Sequence, residues 1–435
     1  MRLDYRLDER LPFFKSLLFG LQWAVVVSSV SIILGKVAAS AHHGQLDGQI
    51  LYLQKLFFVT AVSVLLQVLW GHRLPVISGA AVVTLLGVTV SQSSSPAVVY
   101  TAVIIGGLVI TLLSVSGLFE YVRRLFTGKV VAVILLLVAV TLCPTILRLI
   151  ADSGGEGGAL ASILFALLVL AVMFILHHVL RGIWKSTLII WIMAFGSLFY
   201  FVFFPQSLSR IHIEGADLVR GFFSELTIKP SFEPGVVVAF LICYLALSIN
   251  DVGAMQSMEP LLKPPNMARR IRRGTIITGL SNIVAGFFGV LGIVNYTLSP
   301  GVIISTACAS QYALIPAVLI VFLLALSPLI ITTLASVPSV VIGCVLTYIA
   351  SSQFAYGLAV AFHEVKDGGL DLDDGMVMGL PVLLGVVIAF LPGEIAATFP
   401  AFLRPILGNG FVVGILAVLV LEHVVFRKRR SDHEE

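Results

Sequence analysis

Charge is what this sequence has least of. Only 11% of its 435 residues are Asp, Glu, Lys or Arg, whereas a soluble globular chain carries roughly 25%. With 58% hydrophobic residues, the chain lacks the polar groups to coat a water-facing surface, and it belongs in a bilayer. Cysteine is scarce as well. Cys143, Cys243, Cys308 and Cys344 each sit in an apolar block without pairing or metal-ligand spacing, which argues for buried free thiols. Short alternating strands are absent, excluding a transmembrane barrel. The opening stretch MRLDYRLDERLPFFK mixes both signs of charge and runs into a full-length span, unlike a cleavable signal peptide.

Catalytic patterns are missing too. No zincin, nucleophile-elbow or phosphate-loop spacing occurs, and the pairs His42-His43 and His177-His178 diverge on a helix. The acidic run His363 to Asp374 lacks EF-hand spacing and reads as a solvated cytoplasmic loop. Neither enzyme activity, a cofactor, a metal nor nucleic-acid binding is expected.

What is present is a succession of long apolar runs. A helix needs about 20 apolar residues to cross the hydrocarbon core, and that ruler gives roughly 14 spans: 14–35, 51–70, 75–91, 97–118, 127–149, 159–180, 184–204, 234–255, 273–292, 294–310, 312–331, 336–354, 375–392 and 407–427. With the N-terminus cytoplasmic, twenty of the 27 Lys and Arg fall on the inside, leaving Lys36, Lys55, Arg148, Arg210, Arg220, Lys229 and Arg404 outside. Both termini are therefore expected in the cytoplasm, and the basic residues read as topology signals. The external segment 207–233 divides the chain into seven spans and seven. An odd number in each half inverts one half against the other, the geometry of an inverted repeat. The expected fold is an all-α polytopic membrane protein carrying two short antiparallel strands.

Those strands are expected in the third span of each half, which is short and broken. In RLPVISGAAVVTLLGV, Pro75 and Gly79 interrupt helicity, and Val76-Ile77 and Val82-Val83-Thr84 favour extended backbone. In GVLGIVNYTLSPGVIIST, Tyr296 to Ser299 is expected to be extended and Pro300 to open a half-helix. Paired broken spans are the best sequence pointer to a transporter's binding site, and half-helix N–H groups can meet ligand acceptors. A plainer alternative is a pair of kinked helices packed on small residues.

Asp251 is the one acidic residue clearly inside a span, a functional hypothesis by default. It either carries a proton or bonds a Ser, Thr or backbone group of a neighbouring helix. Asn250, turned 100° away, can face substrate instead. Gln22 sits mid-span with Ser28, Ser29 and Ser31 close behind, and serves interhelical bonding or ligand contact.

At these residues the chain resembles the nucleobase:cation symporter-2 family, the xanthine/uracil permeases. Leu21-Gln22-Trp23 is similar to the family's Leu-Gln-His, and Leu74 to Val83 to its third-span motif. Ser281 to Ile303, Val337 to Ile349 and Ile406 to Glu422 resemble its tenth, twelfth and last spans. The resemblance runs through nearly the whole chain in order. It implies a core domain from 14–118 and 234–331 and a gate domain from 119–206 and 332–430. It also implies H+ or Na+ as coupling ion, a small-molecule cargo, residence in the plasma (inner) membrane and a homodimer formed through the gate. The substrate-binding candidates are Gln22, Ser29, Ala81, Val82, Asn250, Tyr296, Thr297, Leu298 and Ser299, with Asp251 as the proton-coupling residue. Departures stand out: the family's eighth-span Glu falls on Asn250, its tenth-span Glu or Gln on Leu298 and the following Asn on Ser299. Its first-span His falls on Trp23, and its third-span aromatic on Val82. The expected activity is proton-coupled uptake of a nucleobase or related heterocycle by alternating access. The alternative is an anion transporter of the related sulfate-permease fold, which would gain from losing those carboxylates.

Overall fold

The computed structural model describes residues 4–91, 94–151, 158–206, 230–364, 372–400 and 402–426. The connecting segment 207–229, loop residues 365–371 and the basic tail from 427 onward lie outside the described residues.

The first half contains α1 (Phe13–His42), α2 (Leu46–Leu69), β1 (Ser78–Ala80), α3 (Val82–Val90), α4 (Pro96–Ser116), α5 (Phe119–Arg123), α6 (Gly128–Thr141), α7 (Cys143–Ala151), α8 (Gly158–Val179), α9 (Ile183–Ser186) and α10 (Leu188–Phe203). The second half contains α11 (Pro234–Gln256), α12 (Glu259–Leu262), α13 (Met267–Phe288), β2 (Ile293–Asn295), α14 (Ser299–Thr306), α15 (Leu314–Ala325) and α16 (Pro328–Ala335). It ends with α17 (Ser339–Glu364), α18 (Leu372–Ala389), α19 (Gly393–Ala397), α20 (Arg404–Leu407) and α21 (Gly410–Val420). Eight helical stretches among the described residues are long and apolar enough to cross a bilayer, or nine if α15 and α16 form one broken span. The other expected spans correspond to shorter helices, except 273–292, which lies in the 22-residue α13 with its basic, weakly apolar start.

The run 312–331, expected as one helix, is instead bent by 87° between α15 and α16. The cause is Ser327-Pro328: proline cannot donate and disfavours helical backbone in the residue before it. Ser327 is extended, and its hydroxyl accepts from the Ile330 N–H at 3.5 Å. The acidic run near 363–374 differs from a plain solvated loop at its far end, since Asp374 lies in the first turn of α18 and pairs with Lys129 at 2.7 Å.

The two strands exist and pair antiparallel, with Ser78 opposite Asn295, Gly79 opposite Val294 and Ala80 opposite Ile293. Strand β1 falls between the two stretches expected to be extended, Val76-Ile77 and Val82 to Thr84, and β2 lies slightly earlier than expected. Val82 to Thr84 open α3 rather than extending the strand, and Ser299 opens α14. Propensity loses to packing here. The paired strand must be built of small residues, because a Cβ on Gly79 would stand 2.3 Å from the Tyr296 hydroxyl oxygen.

Strand β1 packs against α1 and α2, and β2 against α11 and α13. Helices α4 and α13 meet backbone to backbone: a Cβ on Gly107 would stand 2.7 Å from the Gly279 carbonyl oxygen and 2.8 Å from the Ile283 nitrogen. Such small-residue contacts replace the hydrophobic drive that lipid cannot supply. In a second set of helices, α6 packs on α17, α18 and α21, α18 packs on α21, and α7, α8 and α10 pack on α17. Contacts between the sets include α14 with α9 and α1 with α10. The N-terminal segment lies along the chain just beyond α14, where the Ala309 N–H donates to the Tyr5 carbonyl at 3.0 Å and the Gln311 N–H to the Leu7 carbonyl at 3.0 Å.

Two of the basic residues read as topology signals also bond backbone carbonyls, one just past a helix and one at a helix end. Arg270 donates to the His72 and Arg73 carbonyls beyond α2, and Arg272 to the Ser114 and Val115 carbonyls at the end of α4.

Candidate functional site

A two-stranded ribbon within an apolar bundle leaves backbone groups on its outer edges that no water can satisfy, and each unmet group costs several kcal/mol. Polar side chains from the surrounding helices meet them. On β2, the Ile293 N–H donates to Asn282 Oδ1 at 2.9 Å while Asn282 Nδ2 donates to the Ile293 carbonyl at 2.8 Å. The Leu291 N–H donates to the Tyr52 hydroxyl at 3.0 Å, and the Ile77 N–H to Ser299 Oγ at 3.2 Å. Asn282 is itself fixed by the Tyr244 hydroxyl, 2.8 Å away.

Asp251 belongs to this set. Its Oδ1 accepts from the Asn295 backbone N–H at 3.0 Å and from the Thr278 hydroxyl at 3.1 Å, tying α11 to β2 and α13. Thr278 in turn accepts from Gln67 of α2 at 3.0 Å. The carboxyl thus bonds a threonine of a neighbouring helix together with a strand N–H. Its Oδ2 is buried with no hydrogen-bond partner among the described residues.

Beside the ribbon opens a cavity of about 480 Å³, within the roughly 300–1,000 Å³ of small-molecule sites. One wall is Val26 and Ser29 of α1 with Leu298, Gly301, Val302 and Ile304 around the start of α14. The facing wall is His177 of α8, Gly182, Lys185 of α9, Ile189 of α10 and Tyr348 of α17. His177 Nδ1 and the Tyr348 hydroxyl are 2.8 Å apart.

Of the expected site residues, the structure brings Ser29 and Leu298 onto this cavity. Ser29 directs its hydroxyl to the Val25 carbonyl at 2.6 Å, and Leu298 is 44% exposed there. Ala81 and Tyr296 belong to the ribbon: the Ala81 N–H donates to the Gly292 carbonyl at 2.8 Å, and the Tyr296 hydroxyl to the Ala80 carbonyl at 3.0 Å. Ser299 is fully buried under it. Val82 and Thr297 are half-buried at its ends, and Asn250 and Gln22 are half-buried on their helices. None of these seven lines the cavity as described. Trp23, at the family's histidine position, is 1% exposed in the core.

Sequence reasoning passed over the facing wall. In the sequence His177 reads only as half of an adjacent histidine pair unsuited to a metal, and Lys185 only as a topology charge. Asn282 was legible, since a mid-span asparagine carries the same warrant as Gln22.

The family model described as Permease family matches residues 14–394. The xanthine permease of Bacillus subtilis (strain 168) is 23% identical, over 98% of this chain and 98% of that protein. Uric acid permease PucJ of the same organism is 21% identical, over 94% of this chain and 92% of that one. Among solved structures, the transmembrane domain of the cyanobacterium bicarbonate transporter BicA superposes with a TM-score of 0.62 at 15% identity, covering 88% of this chain and 97% of that one. That last likeness is one of fold.

Proposed function

This chain belongs to the xanthine/uracil permease family, and from that premise we propose that it is a secondary-active transporter of a purine-type nucleobase, working by proton-coupled symport. The observation that carries the reading is the position of the cavity. It lies where the second strand turns into its half-helix, between α1 and α14 on one side and α8, α9, α10 and α17 on the other.

The two packing sets support a division into a core (14–118 and 234–331) and a gate (119–206 and 332–430). The cavity then sits at their interface, and movement of one set against the other exposes it alternately. On this reading the chain forms fourteen spans in inverted halves with both termini cytoplasmic in the plasma membrane, and pairs as a dimer through its gate. Ser29 and Leu298 touch the cargo directly. The remaining candidates shape the ribbon around it, and Asp251 takes and releases the coupling proton at its unpartnered Oδ2.

The test is uptake of labelled xanthine, hypoxanthine and uracil by cells expressing the chain. Saturable uptake that a protonophore collapses, and that Asp251→Asn severely impairs, is expected. Uptake indifferent to both manipulations would remove proton coupling. Anion flux without nucleobase uptake would favour an anion transporter of the sulfate-permease kind.

A further inference from the structure

The polar groups of the cavity are unevenly placed. Among the described residues Ser29 is the only polar side chain on the α1–α14 wall, and its hydroxyl donates to the Val25 carbonyl. The facing wall holds Lys185, His177 and Tyr348, and no acidic side chain lines the cavity among the described residues. The His177–Tyr348 pair offers one outward proton in either arrangement. If the tyrosine donates to Nδ1, Nε2 keeps the ring proton and the phenolic oxygen keeps a lone pair; if Nδ1 donates, the phenolic proton stays free and Nε2 is left as an acceptor. Together with the ammonium of Lys185, which can only donate, this wall presents more donors than acceptors and one positive charge.

A neutral nucleobase carries no charge to meet the Lys185 ammonium, which no acidic side chain lining the cavity offsets among the described residues. A ring that has lost a proton and carries several carbonyls presents acceptors and a negative charge, which suits the wall by charge-assisted bonds. Its planar faces fit the apolar remainder, Val26, Ile189, Leu298 and Val302. The volume of about 480 Å³ suits a bicyclic ring better than a three-oxygen ion.

We propose that Lys185, with the His177–Tyr348 pair, forms a cationic half-site that selects a planar oxidised heterocycle carried as its monoanion over a neutral nucleobase. The proposal rests on the purine-transporter reading and adds charge as the selected property. The test titrates the purified full-length chain with urate, a monoanion near neutral pH, with hypoxanthine, which is neutral there, and with bicarbonate, following thermal stabilisation. Urate is expected to bind more tightly than hypoxanthine. Lys185→Gln should weaken urate about tenfold or more, as loss of a charged hydrogen bond does, and hypoxanthine much less, and Lys185→Arg should restore the preference. Hypoxanthine binding as tightly as urate to the wild type, or both weakening in parallel in Lys185→Gln, overturns the half-site and leaves the purine reading standing. Stabilisation by bicarbonate and by neither purine overturns both.

Discussion

The Asp251 carboxyl accepts the backbone N–H of Asn295 at 3.0 Å, joining a helix to a strand across the middle of the bundle. The same oxygen holds Thr278, so the acid that sequence singles out for proton chemistry also braces the ribbon. The two roles separate by substitution. Asp251→Asn keeps an acceptor oxygen for both donors and should melt in detergent close to the wild type while losing proton-driven uptake. Asp251→Ala leaves the Asn295 N–H and the Thr278 hydroxyl buried and unmet, at about 1–3 kcal/mol each, and should melt well below both. Equal melting of the two variants would show that the brace contributes nothing.

Asn282 carries more of the ribbon than any other side chain, bonding the Ile293 N–H and carbonyl, the Thr278 carbonyl and the Tyr244 hydroxyl. Asn282→Leu preserves bulk and removes every one of these bonds. A loss of about 3 kcal/mol or more is expected from the stranded strand groups. Tyr244→Phe alone should cost about 1 kcal/mol, and in combination with Asn282→Leu it should add little, because the bond it removes is already gone. Additive melting shifts in the double variant would contradict the shared network.

Glycines at two places allow opposite forecasts. Gly107→Ala drives a methyl into the Gly279 and Ile283 backbone, which cannot swing aside. Separation of α4 from α13 and a loss of about 1–3 kcal/mol should follow. At Gly301 a Cβ meets nothing within 4 Å, and the residue lies in the first turn of α14. Gly301→Ala should therefore leave stability unchanged or raise it by up to about 1 kcal/mol, while its methyl narrows the cavity and shifts preference among purines of different size. A folding defect at 301 or a silent change at 107 would refute the packing described.

Much of this architecture is legible in sequence because lipid enforces simple rules. Long apolar runs must be helices, the break at Pro75 marks where regular backbone stops, and Pro300 marks where the half-helix α14 begins. The exact strand residues were less legible. Val82 and Val83 look extended by type, yet Ser78-Gly79-Ala80 form the strand because only small side chains let Tyr296 lie across it. The 87° bend at Ser327-Pro328 was legible in principle from the proline but hidden by the apolarity on both sides. For the site, Leu298 was legible from the broken tenth span and Ser29 from the polar residues that follow Gln22, and the resemblance joined them. Lys185 and Tyr348 lie more than 150 residues apart in sequence, and no local pattern joins them to a common wall.

The Gly79–Tyr296 contact tests whether the ribbon's seating governs the cavity. Tyr296 donates to the Ala80 carbonyl at 3.0 Å, and its ring lies where a Cβ on Gly79 would stand, 2.3 Å from the hydroxyl oxygen and 2.7 Å from Cζ. Gly79→Ala must push the tyrosine off β1, breaking that bond at a cost of about 1–3 kcal/mol. Because Tyr296 is two residues before Leu298, the displacement should reach the cavity wall, and purine affinity should fall along with stability. Tyr296→Ala in the same chain removes the clash and should recover part of the melting temperature without recovering affinity, since the chain leading into α14 then loses its anchor. Recovery of both together would mean that the tyrosine only fills space, and recovery of neither that alanine at 79 disturbs the strand pairing itself.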